Sequence, residues 1–192
     1  TGVDENIVNM TYKEVRRLDA GSWYSDEYKG EKVPGLREVL ELAQGKIKLN
    51  IELKPADNGE ELARKTVALI EKYNMENDCV ITSFSSSALS AAKSCDENIR
   101  VGYILSAAYG DYYDMKNIDF FSVNAAFLSK RTIDAIHNSG KQVYAWTVNN
   151  KDSIKNLTNK GVDGVITDNP VLARETIYSR DTSETIVNMI RY

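Results

Sequence analysis

Histidine, cysteine and proline are scarce in this sequence, whose 192 residues include one histidine, two cysteines and three prolines. Cys79 and Cys95 are too few for a disulfide framework, and neither has the CxxC or Cys/His spacing of a metal site. We therefore interpret both as plain small apolar side chains. The single histidine, His137, falls in the last turn of a predicted helix, and we interpret it as an exposed cap near the helix dipole rather than a catalytic group.

The sequence also lacks a long apolar run and a basic region. No apolar stretch approaches the length of a membrane span, and the composition of 42% hydrophobic and 27% charged residues is typical of a soluble globular domain. The net charge of -4, with no cluster of Lys and Arg among aromatic residues, argues against a nucleic-acid partner. We therefore expect a soluble domain.

The clearest local pattern lies in residues 46–55, where apolar and polar side chains alternate up to a closing proline. This alternation predicts a strand, on which Asn50, Glu52 and Lys54 share one face. In an antiparallel sheet that face would be solvated. In a parallel barrel it would point into the interior, where a carboxylate needs a partner.

Helical and strand patterns alternate along the remaining chain, which is typical of βαβ units and a parallel sheet. Strands are predicted over 46–55, 79–84, 101–105, 120–124, 143–148 and 162–167, and helices over 11–18, 36–43, 58–74, 85–93, 129–138, 151–159 and 170–178. Neither GxGxxG nor GxxxxGK[ST] occurs, which disfavours an open doubly wound sheet.

Polar or aromatic residues stand at the predicted strand ends, where a (β/α)8 TIM-type barrel keeps its active site. They are Glu52, Lys54, Ser83, Asn124, Trp146, Asn149, Asp168 and Asn169. A barrel of this type has eight strands and roughly 250 residues. We therefore predict an α/β barrel that lacks its first two β/α units, with residues 1–180 as the barrel domain and residues 181–192 as a C-terminal tail.

Six short segments, in this order, resemble the glycerophosphodiester phosphodiesterase family. They are Leu18–Trp23, Val33–Leu40, Leu49–Lys54, Ile81–Phe84, Val143–Asn149 and Gly161–Pro170. The resemblance is to bacterial members, whose catalytic domain can follow a membrane-embedded region, and it implies a domain that is cytoplasmic or attached to a bacterial membrane. It implies a barrel that hydrolyses a small-molecule glycerophosphodiester to glycerol 3-phosphate and an alcohol with the help of a metal.

The resemblance also assigns roles to four residues. Glu52 and Lys54 match the family's Glu-x-Lys pair, which makes Glu52 a catalytic ligand of a divalent metal (Mg²⁺ or Ca²⁺) and Lys54 a catalytic partner of the substrate phosphate. Trp146 and Phe84 match substrate-binding wall positions. Without the family, Glu52 and Lys54 could equally form an inward salt bridge, and Trp146 could belong to the core.

This chain departs from the family pattern because the family's His-Arg, Glu-x-Asp and His-Asp pairs are missing. Thr1 and Gly2 resemble residues just downstream of the second family histidine, so we expect a fragment with little or no activity from a parent that is an enzyme. Two alternatives are a catalytically silent barrel, which binds a phosphorylated ligand or a protein partner through Glu52 and Lys54, and a phosphodiesterase of another specificity.

Two further segments keep two interpretations each. Residues 168–170 are a substrate contact or, as we favour, a helix cap before a first-turn proline. Tyr109, Tyr112 and Tyr113 either line a pocket or pack on the barrel rim. The tail could be a short docking helix. A six-stranded partial barrel would leave two sheet edges unpaired, from which we expect marginal stability or association.

Overall fold

The computed structural model describes residues 1–107 and 112–179, and its framework is one sheet of six parallel strands. In chain order the strands are β1 (Leu49–Leu53), β2 (Cys79–Ser83), β3 (Arg100–Leu105), β4 (Phe120–Asn124), β5 (Gln142–Trp146) and β6 (Gly164–Val165). Each strand pairs with the next, and the sheet order never reverses. The sheet curls into a half-barrel, as predicted, and is not a doubly wound sheet.

Between β3 and β4 the described residues form only a 3-10 turn, Tyr112–Asp114, whereas helices lie before β1 and between the other strands. The helices are α1 (Tyr12–Val15), α2 (Leu36–Ala43), α3 (Gly59–Lys72), α4 (Ser86–Cys95), α5 (Lys130–Asn138) and α6 (Lys151–Lys160), and residues 170–179 are also helical. Polar side chains at Asn58, Ser85, Ser129 and Asn150 cap four of them by accepting a backbone N–H. Such caps satisfy orphan donors and fix where each helix begins. No described helix has both the length and the apolarity that crossing a bilayer requires.

The main core lies between the sheet and the helices, whereas the opposite face of the sheet lines the barrel interior. Neighbouring residues on β4 show the division, because Phe121 belongs to the main core and Phe120 packs on Tyr144 at 4.7 Å inside the barrel. The Phe120 ring also lies over Gly102 of β3, where an added Cβ would come within 2.1 Å of it. Glycine at 102 is therefore required by this close approach.

Two aspartates tie adjacent strands together at their amino-terminal ends. Asp119 accepts the Val101 N–H at 2.7 Å and pairs with Lys93 at 3.0 Å. Asp163 accepts the Val143 N–H at 2.8 Å and contacts His137 Nε2 at 2.9 Å. His137 thus lies at the end of α5, as predicted, but its partner is a carboxylate from the following β/α unit.

Several predicted boundaries differ from the structure. The first helix ends at Val15 rather than residue 18, and β6 covers only two residues of the predicted 162–167. Pairing nevertheless continues beyond β6, because the Ile166 N–H donates to the Ala145 carbonyl and the Val148 N–H to the Ile166 carbonyl.

The two cysteines differ in environment. Both are free, as the interpretation of plain side chains requires, but Cys79 is buried whereas Cys95 is exposed. Cys95 lies at the end of α4, where the chain leaves the core. Tyr109 and the tail, residues 181–192, lie outside the described residues.

Candidate active site

Glu52 and Lys54 lie at the carboxyl end of β1, on the face that lines the barrel interior. The Lys54 ammonium is 3.6 Å from a Glu52 carboxylate oxygen. The Glu52 side chain is 34% exposed and the Lys54 side chain 77%, so solvent screens the pair and its net stabilisation is small. The pair is therefore poorly explained as a structural salt bridge, and both groups are accessible to a ligand.

A pocket of about 350 Å³ opens around this pair. Its walls come from the interior-facing side of the strands and the loops just beyond them: Asn50, Glu52, Lys54, Thr82, Phe84, Ile104, Ser122, Trp146, Thr147 and Ile166. The volume suits a small molecule. All four residues predicted for the site therefore line one pocket.

An aromatic wall faces the charged pair. Phe84 and Trp146 meet edge to face, with ring centroids 6.4 Å apart. The Trp146 indole N–H donates to the Ser122 carbonyl at 2.9 Å, which fixes the ring while leaving it at the pocket surface. Trp146 is therefore half-buried at the pocket surface and not enclosed in the main core.

Side-chain hydrogen bonds join β1 to β2 beside the charged pair. The Ser83 hydroxyl donates to the Leu53 carbonyl at 2.8 Å, between the two charged residues. One layer deeper, the Thr82 hydroxyl donates to the Asn50 side-chain oxygen at 2.9 Å. These contacts fix the strand that carries the charged pair.

The described side chains of the pocket offer a divalent metal few ligands. Among the described residues, no group of three His, Cys, Asp or Glu side chains could hold an ion. Glu52 supplies one carboxylate, and the Lys54 ammonium beside it competes with a cation. Hard cations need about six oxygen ligands, so the described residues do not by themselves make a metal site.

Other polar residues at the strand ends have structural partners instead. Asn149 donates to Asp168 at 2.7 Å and accepts from the Asp168 N–H at 2.9 Å. Asn169 accepts the Leu172 N–H at 3.1 Å, which confirms the helix-cap interpretation. Asn124 caps a short turn through the Ala126 N–H.

Tyr112 and Tyr113 do not line the pocket and instead pack against the main core. Tyr112 meets the core residue Phe121 edge to face, with ring centroids 5.3 Å apart. The sequence had not singled out Thr82, Ser122 or Thr147. The strand register places Thr82 opposite Glu52 and Ser122 opposite Tyr144, and Thr147 directly follows β5.

A parallel half-barrel with an acid–lysine pair at its strand ends has the architecture of TIM-barrel enzymes, whose active sites occupy that position. The family model described as the glycerophosphoryl diester phosphodiesterase family matches residues 1–172. The chain belongs to this family of enzymes.

Individual relatives agree. A glycerophosphodiester phosphodiesterase of Caldanaerobacter subterraneus is 26% identical over 195 residues, covering 96% of this chain and 73% of the relative. One of Bacillus altitudinis is 27% identical, covering 85% and 70%. A phosphodiesterase of Oleispira antarctica, solved in complex with the product sn-glycerol-3-phosphate, superposes with a TM-score of 0.79 at 28% identity, covering 90% of this chain and 72% of that one.

Proposed function

We propose that this chain carries the phosphate-binding and part of the acidic machinery for hydrolysis of a glycerophosphodiester to glycerol 3-phosphate and an alcohol. The observation that carries the proposal is the Glu52–Lys54 pair in a pocket walled by Phe84 and Trp146. The product found in the Oleispira relative supports the choice of ligand.

Each residue has a distinct role in this proposal. The Lys54 ammonium binds the phosphate and stabilises the negative charge that grows on it in the transition state. Phe84 and Trp146 provide apolar surface for the carbon skeleton of the ligand and exclude water from one side. Ser83 keeps Lys54 in position through the Leu53 carbonyl.

We further propose Glu52 as one ligand of a divalent cation, Mg²⁺ or Ca²⁺, which supplies Lewis-acid chemistry when bound. The remaining ligands would come from outside the described residues. Calorimetric titration of Mg²⁺ or Ca²⁺ into residues 1–192 should therefore show only weak binding, with a Kd in the millimolar range or higher. Micromolar binding that survives Glu52→Gln would remove Glu52 from the metal site.

Product binding is the direct test, because it needs neither turnover nor a complete metal site. Glycerol 3-phosphate should shift the Trp146 indole N–H resonance of residues 1–192. Lys54→Met should weaken this binding at least fivefold, since it removes the only ammonium in the described pocket lining. Lys48→Met is the matched control, because Lys48 is equally exposed but lies just before the other end of β1. Equal effects of the two substitutions would contradict the proposal.

Turnover distinguishes the enzyme from the second candidate, a silent barrel that binds a phosphorylated ligand. The single histidine favours the second candidate, because it contacts Asp163 and lies far from the pocket. We propose that residues 1–192 alone show no hydrolysis above a metal-only control, because a histidine acid is missing from the described pocket. A fusion to the part of the Caldanaerobacter relative that this chain does not cover should restore hydrolysis that Glu52→Gln abolishes. A folded fusion that binds product without turnover would support the silent barrel.

A further inference from the structure

A closed loop over residues 19–32 precedes α2 and is tied together by one carboxylate. Asp19 accepts the N–H groups of Gly21, Ser22 and Gly30 at 2.8–2.9 Å and the Ser22 hydroxyl at 2.7 Å. The backbones of Asp19 and Lys32 also form an isolated antiparallel β-bridge, with the Ala20 N–H donating to the Glu31 carbonyl at 2.8 Å. The loop therefore has a defined conformation without a hydrophobic core of its own.

The two sides of this loop are in very close contact. A Cβ added at Gly21 would lie 1.9 Å from the Tyr28 carbonyl oxygen, so only glycine allows the approach. Arg16 attaches the loop to α2, donating to the Val33 carbonyl at 2.7 Å and pairing with Glu38 at 2.9 Å.

Three large aromatic side chains project from this loop into solvent and form what we call the aromatic corner: Trp23, Tyr24 and Tyr28. They are 76%, 69% and 42% exposed. The Trp23 and Tyr24 rings are nearly perpendicular, at 73° and 5.7 Å, and Tyr28 lies 5.6 Å beyond Tyr24. The Trp23 N–H is already bonded to the Ala20 carbonyl at 2.8 Å, so the indole has only its π surface left to offer a ligand.

The topology places the aromatic corner at the same end of the sheet as the active-site pocket. A helix that leads directly into a parallel strand runs antiparallel to it, and only residues 44–48 separate α2 from β1. The end of α2 therefore lies at the amino-terminal edge of the sheet, and its first residue, Leu36, lies at the carboxyl edge. The loop before Leu36 is therefore on the pocket side of the sheet.

The charge of the loop favours a cation. Residues 19–32 contain four carboxylates and two lysines, and Asp26 and Glu27 are in the same short turn as Tyr28. Lys32 directs its ammonium to the Arg17 carbonyl at 3.2 Å. Exposed aromatic rings in a loop rich in carboxylates provide the kind of surface that attracts quaternary ammonium groups.

We propose that the aromatic corner binds a quaternary ammonium group, of the kind carried by the choline moiety of a glycerophosphodiester. The group would be held by the faces of Trp23 and Tyr24 and attracted by the nearby carboxylates. Its link to turnover rests on the proposed function, since a diester whose phosphate contacts Lys54 would extend its alcohol toward this rim. The corner would then select substrates by their alcohol.

The two tryptophans of the chain allow both sites to be followed separately by NMR. The Trp23 indole N–H resonance reports on the corner and that of Trp146 on the pocket, with Trp146→Phe assigning them. Choline should shift Trp23 and leave Trp146 unchanged. The neutral isostere 3,3-dimethylbutan-1-ol should bind at least about threefold more weakly, because it lacks the cation. Equal binding of choline and the isostere, or an unmoved Trp23 resonance, would overturn the proposal.

Tyr24→Leu removes one ring while keeping the reporter, and should weaken choline binding at least about threefold. Tyr12→Leu is the matched control, because Tyr12 is a comparably exposed tyrosine (65%) outside the corner, and it should leave choline binding unchanged. Loss of choline binding in both variants alike would argue against a site at the corner.

Further ligands distinguish choline binding at the aromatic corner from membrane association and self-association. Glycerol 3-phosphate should shift only Trp146, so failure of that shift counts against the proposed function and not against the corner. Glycerophosphocholine should shift both resonances. Phosphatidylcholine vesicles that sediment the protein would show recognition of the same group on a lipid. Equal sedimentation by phosphatidylglycerol vesicles, or a Trp23 shift that depends on protein concentration alone, would identify membrane or self-association instead and overturn the proposal.

Discussion

The buried Ser83 hydroxyl donates to the Leu53 carbonyl at 2.8 Å and accepts the Ser85 N–H at 3.0 Å. One side chain thus connects the end of β1, the end of β2 and the cap of α4. Because Leu53 lies between Glu52 and Lys54, the position of both charged side chains depends on this contact.

Ser83→Ala should lower the free energy of unfolding by about 1–2 kcal/mol, because a buried carbonyl and a backbone N–H both lose their partner. It should also weaken glycerol 3-phosphate binding, as the end of β1 loosens. Urea denaturation and the Trp146 shift measure the two effects. Ser90→Ala, on the exposed side of α4, should change stability by less than about 0.5 kcal/mol. Equal losses in the two variants would refute the role of Ser83.

Asp163 and His137 should contribute to stability and not to the site. Asp163→Ala should cost about 2 kcal/mol, because the fully buried Val143 loses its acceptor. His137→Ala should cost less than about 1 kcal/mol, since the His137 side chain is 37% exposed. Neither should change glycerol 3-phosphate affinity. A weakened affinity in His137→Ala would show that the histidine reaches the pocket.

The two cysteines should differ in reactivity. Burial raises the pKa of the Cys79 thiol to about 11, and Cys95 is exposed. Only the thiolate reacts, and an unfolded thiol has a pKa of about 8.5. At pH 8.5 one thiol per native chain should therefore be alkylated by iodoacetamide, and two in urea, with mass spectrometry placing the native label on Cys95. Rapid native labelling of Cys79 would contradict its burial.

The loop of residues 19–32 should keep its structure in mild acid. Hydrogen bonds from Ser22, and then from Gly21 and Gly30, hold the pKa of the Asp19 carboxyl well below its usual range. A lowered folded pKa means that this contribution is complete above the unfolded value of about 4 and is lost only as the pH falls through the folded one. The Gly21 and Gly30 amides should therefore stay protected from hydrogen exchange at pH 4. Asp19→Ala, which removes both acceptor oxygens, should expose them at pH 7, and unchanged protection would refute the role of the carboxylate.

Alternating and periodic segments were predictable from sequence because their burial has a fixed period. The run through Glu52 and Lys54 identified β1 and its interior-facing side chains, and all six strands were found. Strand ends were less predictable. Ser83, Asn149 and Asp168 are polar residues at strand ends, as Glu52 is, yet they form hydrogen bonds to neighbouring backbone and side chains. Those partners become adjacent only after folding.

The remaining site residues depend on register between strands. Thr82 and Ser122 are ordinary strand residues in sequence, and they line the pocket because parallel pairing places them beside the residues of β1 and β5. The aromatic corner was missed for a related reason. Its shape depends on the Asp19 carboxylate, which accepts hydrogen bonds from residues up to eleven positions away. Such contacts leave no periodic pattern in the sequence.

Within the described part of the chain, the strand that bears Glu52 and Lys54 is paired on one side only. Any polypeptide strand that adds to its other side brings its own interior-facing side chains next to this pair. Occupancy of that edge and occupancy of the pocket are then thermodynamically linked. By reciprocity, a ligand in the pocket changes the affinity of the added strand by the same factor by which the strand changes the affinity of the ligand.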